Sequence, residues 1–154
     1  MKTIPDHSSV RLGVILFTIL AIFSLSGCGS NFPSQKKGEA LSLVYLKAYF
    51  KGDFDKVENL LPHEERVTRN LELHEQFMKR NIEKAEKLGG VKNIEAEETR
   101  ILVSTEKGPT KISVRYSLSF KESDSKGSVR LEARMIDGKW YVTSNNFFPS
   151  IPNR

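Results

Sequence analysis

The sequence predicts an α+β domain, with N-terminal helices packed on one face of an antiparallel sheet. Three observations lead there. Apolar residues recur at helical spacing as far as Gly89-Gly90, and from Val91 onward they alternate with polar ones. Asp137-Gly138 then separates two alternating runs in the manner of a two-residue hairpin turn. The 154 residues suffice for one domain plus accessory segments.

The chain opens on a targeting signal. Met1 to Arg11 is polar and net basic, Leu12 to Leu25 is apolar and uncharged, and the small residues Ser26 and Gly27 follow. The apolar run is about 14 residues, or roughly 21 Å as a helix, against about 30 Å of bilayer hydrocarbon. That is short for a permanent span. Leu25-Ser26-Gly27-Cys28 resembles the bacterial lipobox, in which the Cys sulfur receives a diacylglyceryl group and cleavage falls between Gly27 and Cys28. Cys28 is the single cysteine, so an intrachain disulfide is excluded. Two or three acyl chains, at about 0.8 kcal/mol per buried methylene, give a nearly permanent membrane anchor. In such lipoproteins an Asp after the Cys retains the protein in the inner membrane. Gly29 stands there instead, which implies the outer membrane, facing the periplasm, in a Gram-negative host.

The expected organisation is a signal peptide at 1–27, a lipidated Cys and tether at 28–37, a folded domain at 38–146 and a C-terminal tail at 147–154. The net charge of +5 is mild, falls by one with the leader, and is interspersed along the chain. With no stripe of basic and aromatic residues, nucleic acid is not an expected partner.

The first predicted helix runs from Gly38 to Lys51. Ala40, Val44 and Ala48 line one side, Leu43, Leu46 and Phe50 a second, and Tyr45 and Tyr49 a third. A helix this apolar should be covered on more than one side. Gly52 stops it, and Asp53 caps a short helix from Phe54 to Leu61 that ends at Pro62. A long amphipathic helix is expected from His63 to Leu88, with a stripe of Val67, Leu71, His74, Met78, Ile82 and Ala85.

Val91 to Ser104 alternates with a change of phase that a bulge near Glu97-Glu98 would explain. Lys111 to Lys121 alternates cleanly, with Ile112, Val114, Tyr116, Leu118 and Phe120 inward. Glu122 to Gly127 reads as a turn, and Val129, Leu131, Ala133 and Met135 face inward on the next strand. The Asp137-Gly138 turn pairs Met135 with Trp140 and Ala133 with Val142.

The order of elements, AYFKGDFDKV at Ala48 to Val57 and MIDGKWYV at Met135 to Val142, resembles the nuclear transport factor two-like superfamily, also called cystatin-like. In particular they look like the small bacterial lipoproteins of unknown function in that superfamily, over Gly38 to Ser144. The resemblance implies a cone-shaped sheet curled around the long helix, often with a pocket at its open end. Its members include isomerases, dehydratases, dimerising modules and non-catalytic binders, so the fold does not select an activity.

Residues that would line such a pocket are Tyr45, Tyr49, His74, Tyr116 and Trp140. His74, at the centre of the helical stripe, reads either as a general base or as a neutral core imidazole. The aromatics read either as a ligand wall or as plain core. Superfamily enzymes that resemble ketosteroid isomerase set a Tyr beside buried carboxylic acids. Here the inward strand positions carry none, with Glu98 at the proposed bulge the one exception. Few His residues, no second Cys and no HExxH argue against a metal, and no cofactor is expected.

On the outward sheet face, Lys111, Arg115, Arg130 and Arg134 with Glu132 read as solvated surface or as a homodimer interface. The apolar tail, Phe147, Phe148, Pro149, Ile151 and Pro152, reads as folding back, closing the cone or reaching a partner. The expected function is a lipid-anchored, non-catalytic envelope module that binds a small apolar ligand or another envelope protein. The alternative is an isomerase or dehydratase using His74 with a Tyr.

Overall fold

Pro33 opens the first helix, at a position where its missing N–H removes no helical bond. The computed structural model describes residues 32–143 and 149–152; the leader, Gly27, Cys28, Phe147 and Phe148 lie outside these. Helix α1 spans Pro33–Lys51. It therefore begins five residues before the expected Gly38, and residues 33–37 of the predicted tether are helix. The Gly52 N–H closes it by bonding the carbonyls of Ala48 and Tyr49.

Helix α2 spans Phe54–Asn59, with the Asp53 carboxylate accepting from the Lys56 N–H as the expected cap. The expected long helix is two helices. α3 spans His63–Thr68 and α4 spans Leu71–Glu86. Arg69 between them is extended, and the Asn70 side chain caps α4 by accepting from the Leu73 N–H at 3.0 Å. The break turns Val67 and Leu71 out to solvent, although both fit the periodic stripe. An N-cap thus overrides a continuous apolar pattern.

Four strands follow: β1 Val91–Thr105, β2 Gly108–Phe120, β3 Ser123–Ile136 and β4 Lys139–Thr143. They form one curved antiparallel sheet in the order β1-β2-β3-β4. The inward residues of β2, from Ile112 to Phe120, are all buried as expected. A register shift falls between Ala96 and Glu98, where the sequence places a bulge. Met135 pairs with Trp140 and Ala133 with Val142 around Asp137 and Gly138, both of positive φ. The expected turn at Glu122 to Gly127 is instead a tight reversal before Ser123, and Ser123 to Gly127 joins β3.

α1 lies across the sheet and touches every strand, and α2 and α4 pack against it as well. It is therefore covered on two sides, although Ala40 and Val44 on one predicted apolar side are exposed. The core joins Tyr45, Leu46 and Tyr49 of α1 with Met78 of α4 and the inner face of β2 and β3. The Val142 N–H donates to the Leu60 carbonyl at 2.9 Å, pinning the segment after α2 to β4. Ser150 bridges Ser128 and Ile151 joins the core, so the described part of the tail folds back onto the domain.

Candidate functional site

The five expected pocket residues divide between two places. Tyr116 and Trp140 rise from the sheet beneath the first turns of α1. The Tyr116 hydroxyl donates to the Glu39 carbonyl at 3.0 Å, and Ser42 lies against the same hydroxyl. Burial holds the Tyr116 phenol protonated far above its usual range. The Trp140 ring packs under Gly38, where an added Cβ would lie 3.1 Å from it.

Tyr45, Tyr49 and His74 sit on the helical side. Tyr45 and Tyr49 are fully buried one turn apart on α1, with ring centroids 6.3 Å apart. Burial raises both phenols well above the ordinary tyrosine range. The Tyr49 hydroxyl accepts from Asn81 Nδ2 at 2.9 Å. Asn81 was not among the expected site residues; it is a buried amide on the inner side of α4. Its signal in the sequence was an Asn between Met78 and Ile82, inside an otherwise apolar stripe.

The Tyr45 hydroxyl faces the Arg69 guanidinium, with the Glu65 carboxylate nearby. Arg69 and Glu65 are both largely covered and lie 3.8 Å apart. His74, half-buried in the first turn of α4, feels the same arginine. Burial first, and the Arg69 charge second, lower it to about 4. Its imidazole is thus neutral at pH 7, and its Nε2 is buried with no hydrogen-bond partner among the described residues. Arg69 thus stands near both Tyr45 and His74. Its backbone is extended, between α3 and α4.

A separate groove of about 440 Å³ opens between the last turns of α1 and the start of β1. Lys47 and Lys51 from α1 and Lys92 from β1 stand on its rim, over Phe50, Val91 and Ile94. None of the five expected residues lines it. Val91 pairs with Phe120 and Asn93 with Ser119, so Lys92 is an extra residue in the ladder. This bulge lets consecutive residues of one strand line one groove, which a regular strand with alternating faces does not allow. The Asn93 side chain is already committed: it donates to Glu95 and accepts from the Ile94 N–H.

The outward sheet face is laced by ion pairs. Lys111 meets Glu132 at 2.8 Å, and Glu98 meets Arg100 at 2.6 Å and Arg130 at 3.7 Å. Glu98 at the bulge is therefore held ionised below its usual pKa, first by its hydrogen bond to Arg100. Arg134 reaches Glu64 of α3 at 3.3 Å. Among the described residues no cluster of His, Cys, Asp or Glu is arranged to hold a metal, and no helix is long and apolar enough to cross a membrane.

No family model matches the chain, and no curated protein matches it. Among solved structures it is similar to a Campylobacter jejuni protein that carries the name NTF2-like transpeptidase, NTF2 being nuclear transport factor two. The two share 25% identity at a TM-score of 0.56, over 68% of this chain and 94% of that one. The architecture is accordingly NTF2-like. A SEC-C motif-containing protein from Rhodopseudomonas palustris aligns at 22% identity over 76% of this chain and 80% of that one. Its TM-score of 0.41 carries no argument.

Proposed function

We propose that this chain is a lipid-anchored cell-envelope module whose NTF2-like domain binds and does not catalyse. In this reading residues 1–27 are removed, Cys28 is acylated, and the domain stands in the periplasm on the outer membrane of a Gram-negative host. Its partner is a small ligand with an apolar part, or another envelope protein.

One observation carries the binding half. The tyrosine hydroxyls that would serve chemistry in a cone-shaped enzyme are engaged in holding helices to sheet and to each other. Tyr116 anchors α1 through Glu39, and Tyr49 is tied to Asn81 of α4. His74 is poorly suited to the alternative, since an imidazole with a pKa of about 4 is a weak base near neutral pH. The Campylobacter protein's name speaks of transpeptidation. An acyl-transfer route of that kind needs an activated nucleophile beside its base, and no hydroxyl is hydrogen-bonded to His74 among the described residues. The likeness therefore weighs for a shared binding scaffold.

The test is native mass spectrometry of the chain purified from its host, followed by incubation with a small-molecule extract of the host envelope. Binding predicts a co-purified ligand or partner that is released unchanged. Conversion of an extract component, lost in His74→Gln, would establish the enzyme instead.

A further inference from the structure

The groove between α1 and β1 combines features that together name a ligand class. Its rim carries Lys47, Lys51 and Lys92, all exposed, and none has a carboxylate partner among the described residues. Two lysines elsewhere on the domain do have one: Lys79 lies 2.7 Å from Glu75 and Lys111 2.8 Å from Glu132. Phe50, Val91 and Ile94 beneath them are half-buried, and each is packed against the core on its inner side. The apolar floor is therefore fixed in place, while the ammonium groups above it are long, mobile and uncompensated.

Two aspects of the backbone set this pattern. Lys47 and Lys51 are four residues apart on α1, so they project from one side of the helix over Phe50. Lys92 is the extra residue of the bulge between Val91 and Asn93, which brings its side chain to the groove that Val91 and Ile94 also line. A volume of about 440 Å³ is in the range of small-molecule sites. Among the described residues no carboxylate lines the groove. The ammonium groups are open to a carboxylate or phosphate from outside.

We infer that the groove is a binding site for an organic anion with an apolar body, the phosphate or carboxylate head held by Lys47, Lys51 and Lys92 and the body laid on Phe50, Val91 and Ile94. The inference rests on the binding reading above and specifies its site. A small inorganic anion would meet the lysines without using the floor, and a neutral apolar molecule would use the floor without the lysines. The ligand that satisfies both halves is amphiphilic. Carboxylate and phosphate heads are equivalent to a rim of flexible ammonium groups, which are point charges without the planar fork of arginine.

The experiment uses the protein as it is purified from host membranes in a neutral detergent. Equilibrium dialysis against detergent alone compares 1-naphthyl phosphate, 1-naphthoate, inorganic phosphate and 2-naphthol. Saturable binding of the two amphiphilic anions is expected, at least tenfold tighter than binding of inorganic phosphate or 2-naphthol, and weakening as salt is raised. The triple variant Lys47→Ala, Lys51→Ala, Lys92→Ala should lose at least tenfold in affinity with its melting curve unchanged. Lys92→Glu alone should lose most of the binding. Lys107→Ala with Lys139→Ala, both exposed, one in the β1–β2 turn and one on β4 at the other end of the sheet from the groove, should lose none. Equal affinity for inorganic phosphate and naphthyl phosphate, or equal binding by wild type and triple variant, overturns the site. A chain that co-purifies with a ligand yet takes up no naphthyl phosphate also overturns it, and leaves the broader binding reading standing. Naphthyl phosphate binding at the groove beside turnover of host material does the opposite.

Discussion

The Tyr116 hydroxyl, on the inner face of β2, donates to the backbone carbonyl of Glu39 in α1 across 77 residues of sequence. The bond ties the first turns of the central helix to the middle of the sheet. The Tyr116 side chain is buried and Glu39 half-buried, and such a hydrogen bond is typically worth about 0.5–1.5 kcal/mol. Tyr116→Phe should lower the urea unfolding free energy by about 1 kcal/mol and leave naphthyl phosphate binding at the remote groove unchanged. An unchanged unfolding midpoint would show that the hydroxyl has no holding role.

Gly38 sits in α1 where a Cβ would come within 2.7 Å of Ile112 Cδ1 and 3.1 Å of the Trp140 ring. In an isolated helix Ala is favoured over Gly by about 1 kcal/mol. Here the overpacking, typically about 1–3 kcal/mol, acts against that gain. Gly38→Ala should therefore destabilise, measured as a lower melting temperature, while Val44→Ala on the exposed side of the same helix should have little effect. Stabilisation by Gly38→Ala would mean that α1 lies further from the sheet.

Asn81 and Tyr49 are buried partners joining α4 to α1. A double-mutant cycle of Asn81→Ala with Tyr49→Phe should give a coupling energy of about 0.5–1.5 kcal/mol in urea unfolding. Strict additivity would remove the bond from the account of how α4 is held.

His74 gives the domain a pH dependence of definite sign. Its folded pKa of about 4 lies below the ordinary 6.5, through burial and then through Arg69. Between those values the unfolded chain takes up a proton at His74 that the folded chain resists. This contribution is complete above about pH 6.5 and is lost as pH falls toward 4. The ring is partly exposed, so solvent screening reduces it to about 1–2 kcal/mol. Urea unfolding at pH 7.5 and 4.5 should show wild type losing more stability than His74→Gln on acidification. Identical losses would place the imidazole in free solvent.

What the sequence disclosed was governed by short-range physics. Asp137-Gly138 dictates its own turn, so the pairing of Met135 with Trp140 was legible, as were the Asp53 cap and the bulge before Glu98. The break at Arg69 was hidden because Val67, Leu71, His74 and Met78 keep one period across it, although Asn70 is a good helix cap. Pro33 signals a helix start just as well, yet the polar residues after it read as tether. Ile101, Leu102 and Val103 are apolar but exposed, since β1 is an edge strand and runs beyond the cover of the helices. Of the candidate site, the buried tyrosines could be expected from periodicity. Their partners could not: Glu39, Asn81 and Arg69 meet them only through tertiary packing. The groove was invisible for the same reason, since it joins Lys47 and Lys51 to a lysine 41 residues further on, placed by an irregularity in β1.

Attachment to the membrane through a single acylated sulfur is tested most directly by the intact mass of the protein purified from its host's membranes. The expected product begins at Cys28, lacks residues 1–27 and carries a diacylglyceryl group with a further acyl chain on its amine. A chain that retains Met1 to Gly27 with an unmodified Cys28 thiol would contradict it.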